Sequence, residues 1–250
     1  MKNKELRLLD IVPVTAPGIL SQTMIEDMTK YLMKTTQVEH VQIEDGPVTI
    51  ESEYDEAFAA PSVVQLAEDA NRKQAFDGIF VNCFGDPGVR ATREKLKTVV
   101  FGGFEPAMYL ALGLGDSISI VTVLKNVVPM LTNAVRTAGI TSRVTSIRTL
   151  DIPVLQLEQR SVLMTNLYRE CQKAIVEDGA SVIVMGCTGI VGIVEEMTTR
   201  LHQDGYDVPV LEAGQCAMLL TELYARLGVY PSRQTYMTPP SKMLEVERND

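Results

Sequence analysis

The sequence has no tryptophan, only two histidines and four cysteines in 250 residues, and each scarcity narrows the chemistry open to it. Neither His40 nor His202 has a cysteine at ligand-motif spacing, and no two cysteines form a Cys-x-x-Cys pair, so no metal site is expected. The missing pair also argues against dithiol redox chemistry. A cysteine hydrolase needs a histidine beside its nucleophile and an orienting third group, and neither histidine falls at the end of a predicted strand. Phosphate-cradling glycine motifs are lacking too. The first predicted strand runs into VPVTAPG instead of GxGxxG, and there is no P-loop, so no nucleotide or other cofactor is expected. No apolar run approaches the roughly 20 residues that cross a bilayer. Asp10 and Pro13 interrupt the stretch that follows the basic N-terminus before it reaches the length of a signal-peptide core. A formal net charge of −9 without any Lys/Arg cluster excludes nucleic acid and anionic membrane as partners. These absences predict a cytoplasmic protein with four free thiols that acts on a small molecule.

What is present is a regular alternation of strand-length apolar runs with segments of helical period. Strands are predicted at Leu6–Val14, Val38–Ile43, Ile79–Cys83, Val99–Phe101, Ser117–Val123, Arg143–Arg148, Val182–Gly186 and Val208–Leu211. Helices fall between them, one opened by the capping-box spacing Ser52–Asp55 and broken near Pro61, another started by Pro87 with Asp86 as its cap. Alternation of this kind builds parallel βαβ sheets, whose strands are buried on both faces and read as continuous Val/Ile/Leu. A weak internal repeat, LLDIVPVTAPG against SISIVTVLKNV, predicts an α/β fold of two pseudo-symmetric lobes. The boundary is placed near Gly113–Asp116. The first lobe takes residues 1–112 plus 206–250 and the second takes 113–205, with the last strand and helix crossing back. The tail from Tyr230 is expected to be irregular.

The repeat gives two cysteines the same setting. GIFVNCFGDPG delivers Cys83, and SVIVMGCTGIVG delivers Cys187, from a buried strand onto a glycine-flanked corner ahead of a helix. In parallel α/β sheets, ligands bind beyond the carboxyl ends of the strands. A helix start there supplies free N–H groups and favours thiolate and anion alike. Taken singly, each cysteine reads as a packing residue, as Cys171 and Cys216 do. Taken together, the two corners face each other across a cleft. One thiolate removes a proton from one face of a carbon while the opposing thiol delivers one to the other, which inverts a stereocentre without a cofactor.

These segments resemble the aspartate/glutamate/hydantoin racemase superfamily, and within it the hydantoin and allantoin racemase branch. The likeness runs through IESEYDEAFAAP (Ile50–Pro61), CFGDPG (Cys83–Gly88), FEPAMYLAL (Phe104–Leu112), VPML (Val128–Leu131), LDIPVLQLE (Leu150–Glu158) and EDGASVIVMGCTG (Glu177–Gly189). It implies two α/β lobes with the active site between them, proton transfer by Cys83 and Cys187, and a homo-oligomer. Substrate contacts are implied at Pro13, Thr15, Phe84, Gly85, Thr122, Val123, Thr188 and Gly189, with Glu105 matching a family glutamate or serving as a helix-start carboxylate. Several positions depart from the family. Its Asn-Pro-Asn-Thr-Ser corner reads Val12-Pro13-Val14-Thr15-Ala16 here, its Thr-Thr reads Thr122-Val123, and a nearby arginine position reads Asn126. Each change removes hydrogen-bonding capacity where the family holds its ligand, so the site should not bind the same polar ring equally well, and the expected substrate is a small anionic or carbonyl-bearing molecule. A racemase or epimerase of a carbonyl-activated centre leads. A maleate-type isomerase or decarboxylase on the same fold, or a binding protein without catalysis, are the alternatives.

Overall fold

The computed structural model describes residues 4–240. The chain runs β1 (Leu6–Val12), α1 (Gln22–Thr29), β2 (Thr36–Gln42), α2 (Glu53–Lys73), β3 (Gly78–Val81), α3 (Val89–Lys95), β4 (Val99–Phe101) and α4 (Phe104–Leu112). It continues with β5 (Ile118–Thr122), α5 (Val128–Thr137), β6 (Val144–Thr149), α6 (Arg160–Val176), β7 (Val182–Met185), α7 (Val194–Gln203), β8 (Val210–Glu212) and α8 (Ala213–Leu227).

The strands form two four-stranded sheets, ordered β2-β1-β3-β4 and β6-β5-β7-β8, and every pairing is parallel. The two orders are the same pattern, so the weak sequence repeat marks a genuine repeat of topology. The inner strands are sealed on both faces: every residue of β3, β5 and β7 is buried. Val and Ile suit such strands because their branched side chains pack well on a pleated surface covered above and below. Helix α1 opens on Ser21, whose hydroxyl accepts the Met24 N–H, and α2 opens on Ser52, which accepts from Asp55.

A shared core joins the two sheets. Phe84, Phe104, Ala107 and Met108 from the first half pack with Ile118, Ile120, Val182 and Val184 from the second, and Met130 and Leu131 of α5 complete the cluster. Burying each large side chain is worth about 1.5–3 kcal/mol, so the interface is as strongly held as a core.

Several expectations are corrected. The strand near residue 210 was expected to leave with the final helix, but β8 pairs with β7 in the second sheet and only α8 crosses back onto the first. Helix α2 runs through Pro61 unbroken. Helix α3 starts at Val89 and not Pro87, because Gly88 adopts a left-handed conformation (φ 70°) that turns the chain first. Helix α7 likewise starts at Val194. The segment after Tyr230 is irregular but not loose: the Arg233 guanidinium donates to the carbonyls of Glu94 and Leu96 at the end of α3. The rest of the expected irregular tail, residues 241–250, lies outside the described residues.

Candidate active site

The two corners are built alike. Strands β3 and β7 end two residues before Cys83 and Cys187, and in each corner the amide two residues further on points back at sulfur. Gly85 N lies 3.4 Å from Cys83 Sγ, and Gly189 N lies 3.4 Å from Cys187 Sγ. Gly186 has to be glycine, since a β-carbon there would stand 2.6 Å from the Ile120 side chain. The corners are also tied together. Thr188 Oγ1 donates to the Asn82 carbonyl at 3.2 Å, a bond that links the residue after one cysteine to the residue before the other. Gly103 N donates to the Cys83 carbonyl at 2.9 Å, and a side chain at Gly103 would press on Cys83, Phe84 and Thr188 at 3.1 Å.

Both thiols line one small cavity of about 40 Å³, walled by Ile50, Phe84, Gly85, Thr122, Val123, Val127, Met130, Leu131, Gly186 and Thr188. That is space for a few water molecules. None of these walls carries a charge. Two larger hollows flank it. One, of about 650 Å³, shares Gly85, Met130 and Leu131 with it and is lined by Glu53, Glu56, Asp86, Arg90, Glu105 and Tyr236. The other, of about 280 Å³, reaches Gly189 between the loop at Pro17–Ile19 and the turn at Val154–Leu157. Among the described residues no group of three or more His, Cys, Asp or Glu is placed to hold a metal ion, and no helix is long and apolar enough to cross a membrane.

The electrostatics differ from the expectation of activated thiols. Helices α3 and α7 begin well beyond the cysteines, so neither of the helices that follow them in the chain rests its N-terminus on the sulfur. Burial dominates instead. It pushes the Cys83 thiol well above its ordinary range, with the Gly85 amide opposing and Cys187, Glu56 and Asp86 adding to the rise. Cys187 is pushed up by burial to about 11, relieved by the amides of Gly189 and Ile190 and raised slightly by Glu51. Both sulfurs are therefore protonated in the ligand-free protein at neutral pH. Carboxyls nearby shift the same way. Burial, reinforced by Glu105, raises Asp86 to about 8 against the opposing Phe104 amide, and burial with the neighbouring Glu53 raises Glu56 to about 7.

Of the residues singled out from sequence, Cys83, Phe84, Gly85, Thr122, Val123, Cys187 and Thr188 meet at the cavity. Gly189 touches the Cys187 sulfur from behind. Pro13 and Thr15 are not in its wall: the Thr15 hydroxyl is spent on the Pro47 carbonyl at 3.2 Å. The Thr122 hydroxyl donates to the Gly186 carbonyl at 2.8 Å and so braces the second corner. Glu105 lies in the larger hollow, where it is paired with Arg93. Asp86 is a cap, but of α4 and not α3: its Oδ1 accepts the Phe104 N–H at 3.0 Å. Sequence reasoning missed Ile50, Val127, Met130 and Leu131, whose apolar character gave no sign that they face a ligand, and Glu56, hidden among the carboxylates of a helix start.

Fold and paired corners together describe a two-lobe α/β isomerase with one cysteine per lobe. A profile of the Asp/Glu/hydantoin racemase family matches residues 20–221, and the chain belongs to that family. It is 30% identical over 239 residues to a hydantoin racemase of Paenarthrobacter aurescens, covering 95% of this chain and 99% of that one. A hydantoin racemase of a Pseudomonas species is 32% identical over 209 residues, 83% of this chain and 82% of the relative. Among solved structures, the allantoin racemase from Klebsiella pneumoniae superposes with a TM-score of 0.88 at 30% identity, covering 97% of each chain. The chain is accordingly a racemase, an enzyme of the isomerase class.

Proposed function

We propose that the protein racemises a small, uncharged, carbonyl-activated stereocentre, of the kind found in 5-substituted hydantoins, by proton transfer between Cys83 and Cys187 without a cofactor. The observation that carries this is the small uncharged cavity walled by both thiols. Its hydrogen-bonding wall is backbone. The N–H groups of Phe84 and Thr188 form no hydrogen bond among the described residues, and they are suited to receive the oxygen of an enolate as charge develops there. One cysteine, as thiolate, takes the proton from the stereocentre, and the electron pair moves onto the adjacent carbonyl oxygen. The other thiol then returns a proton to the opposite face, leaving the two sulfurs with exchanged protonation states. Maleate isomerisation and malonate decarboxylation act on carboxylates, and the described wall supplies no cation to hold one. Of the positions that depart from the family, Val123 stands in this wall, and its loss of a hydroxyl fits the same reading, since a less polar wall suits a less polar ligand.

The test is solvent isotope incorporation. In deuterated water a 5-substituted hydantoin should gain deuterium at its stereocentre as optical rotation decays. Cys83→Ala and Cys187→Ala should each abolish inversion while leaving the surviving thiol able to exchange the proton of one enantiomer. Full racemisation by either single variant refutes the two-thiol mechanism.

A further inference from the structure

The two corners match in their amide-to-sulfur geometry but not in electrostatic surroundings, and one segment contributes to the difference. Residues 50–56, the entry to α2, pass between the lobes and bring a carboxylate towards each cysteine. Glu51 acts on Cys187 and Glu56 acts on Cys83. Glu51 is spoken for, because its Oε1 accepts the Val154 N–H across the gap between lobes at 2.6 Å. Glu56 is not. Its Oε2 lies 3.4 Å from the point where a β-carbon on Gly85 would stand, so the carboxyl rests against the residue whose amide holds the Cys83 sulfur. It opens into the larger hollow beside the cysteine cavity.

The groups facing Glu56 do not neutralise it. Glu53 lies on its own helix and raises it further. From α3 and the corner before it come Asp86 and Arg90, and the Arg90 guanidinium is stacked on the Tyr236 ring at 5.3 Å. Helix α4 brings Glu105, already paired with Arg93, and Tyr109, while α5 contributes the uncharged Met130 and Asn133. As pH rises, Glu56 therefore loses its proton with no cation among the described residues in salt-bridge contact with it, and does so below the range in which either thiol ionises.

We infer that Glu56 is a positioning residue that holds Cys83 as the protonated member of the pair, so that Cys187 is the thiol that ionises first and serves as the base. This rests on the two-thiol reading of the site, but its test uses no substrate and succeeds or fails independently of racemisation. A negative charge against the Gly85 corner opposes a second one on Cys83 and acts less on Cys187 in the other lobe. Glu56 thus adds to an ordering that the second amide at Cys187, from Ile190, and the Asp86 carboxyl beside Cys83 already favour.

The experiment is alkylation of the full chain by iodoacetamide, a neutral probe, from pH 6 to 10, with the two sites resolved by peptide mass spectrometry. In the unmodified protein Cys187 should react faster than Cys83 throughout the alkaline range. In Glu56→Gln, the Cys83 rate at pH 8.5 should rise about three- to tenfold, a fall of up to one unit in thiol pKa, with Cys187 changed less than about twofold. Equal changes at both thiols, or none at Cys83, overturn the assignment. A second reading guards against a variant that does not fold. In the unmodified protein, the logarithm of the Cys83 rate should flatten near pH 7, where Glu56 ionises, before climbing again. A straight rise of unit slope from pH 6 to 9 overturns the proposal without any substitution.

Discussion

Replacing Glu212 by glutamine should make the protein more stable, and by an amount that grows with pH. Glu212 ends β8 and is 1% exposed. Its Oε2 accepts the Gly192 N–H at 3.2 Å, and Oε1 is buried with no other partner. It meets Asp27 of α1, which accepts from Gly192 at 3.0 Å and Gln215 at 2.9 Å and pairs with Lys30 at 2.9 Å. Burial first, and then the Asp27 carboxylate, raise Glu212 from 4.5 to about 9. The folded protein thus keeps a proton on Glu212 that the unfolded chain has already lost. The stability this contributes is complete below pH 4.5, and it is lost progressively as pH climbs towards 9, at about 1.36 kcal/mol per unit. Glutamine cannot titrate. Between pH 6 and 8 the stability of Glu212→Gln relative to the parent should therefore increase by about 3 kcal/mol, or about 5–10 °C in melting temperature for a chain of this size. Asp27, lowered below its ordinary value, is ionised in both states across that window and adds no slope. Glu56, Asp86 and the thiols titrate in both proteins and cancel. With no tryptophan to report unfolding, the melting curves are best followed by circular dichroism at 222 nm or by calorimetry. Melting curves whose separation stays constant or narrows from pH 6 to 8 refute the buried protonated carboxyl.

Thr188→Val keeps the shape of the second corner but removes the hydroxyl bonded to the Asn82 carbonyl, so stability should fall by about 1–3 kcal/mol, read by urea titration, because a buried acceptor is left unpaired. Gly102→Ala should destabilise by about 1–3 kcal/mol, since its new methyl would stand 2.0 Å from Asp86 Oδ1 and force the cap off α4; an unchanged denaturation midpoint would show that the cap yields freely. Phe80→Ala should cost about 3–5 kcal/mol by the same assay, because Phe80 is fully buried between β3 and the helices α1 and α8.

Much of this was legible because parallel strands are sealed on both faces. GIFV and VIVM have no polar residue to spare for solvent, so they could be read as strands and the cysteines after them as strand ends. The ordering of the elements and the doubling of the corner follow from that pattern. The allegiance of β8 was not legible, since three residues of Val-Leu-Glu pack equally well at the edge of either sheet and only the partner's register decides. Nor was the start of α3: Gly88 in a left-handed turn postpones the helix, whereas Pro87 reads as a favourable first position. The thiol environment depends on enclosure from distant segments. Ile50, Val127, Met130 and Leu131 close over the sulfurs from elements far away in the chain, and that closure reverses the direction expected from a nearby helix dipole.

Helix α8 has a consequence for anyone who would divide the molecule. It begins on the last strand of the second sheet and lies over the first, where Ala217 and Met218 cover Phe80, and Ala225 covers Leu6 and Leu8. The Thr221 methyl sits so close to Gly78 that a β-carbon there would approach to 2.6 Å. A cut near Gly115 would therefore yield an N-terminal fragment whose sheet lacks one of its covering helices and a C-terminal fragment carrying that helix. Neither half is a self-sufficient unit, despite the matching topologies. Co-expressed, the two are shaped to recombine, which makes this junction a natural place to split the enzyme into a reporter pair.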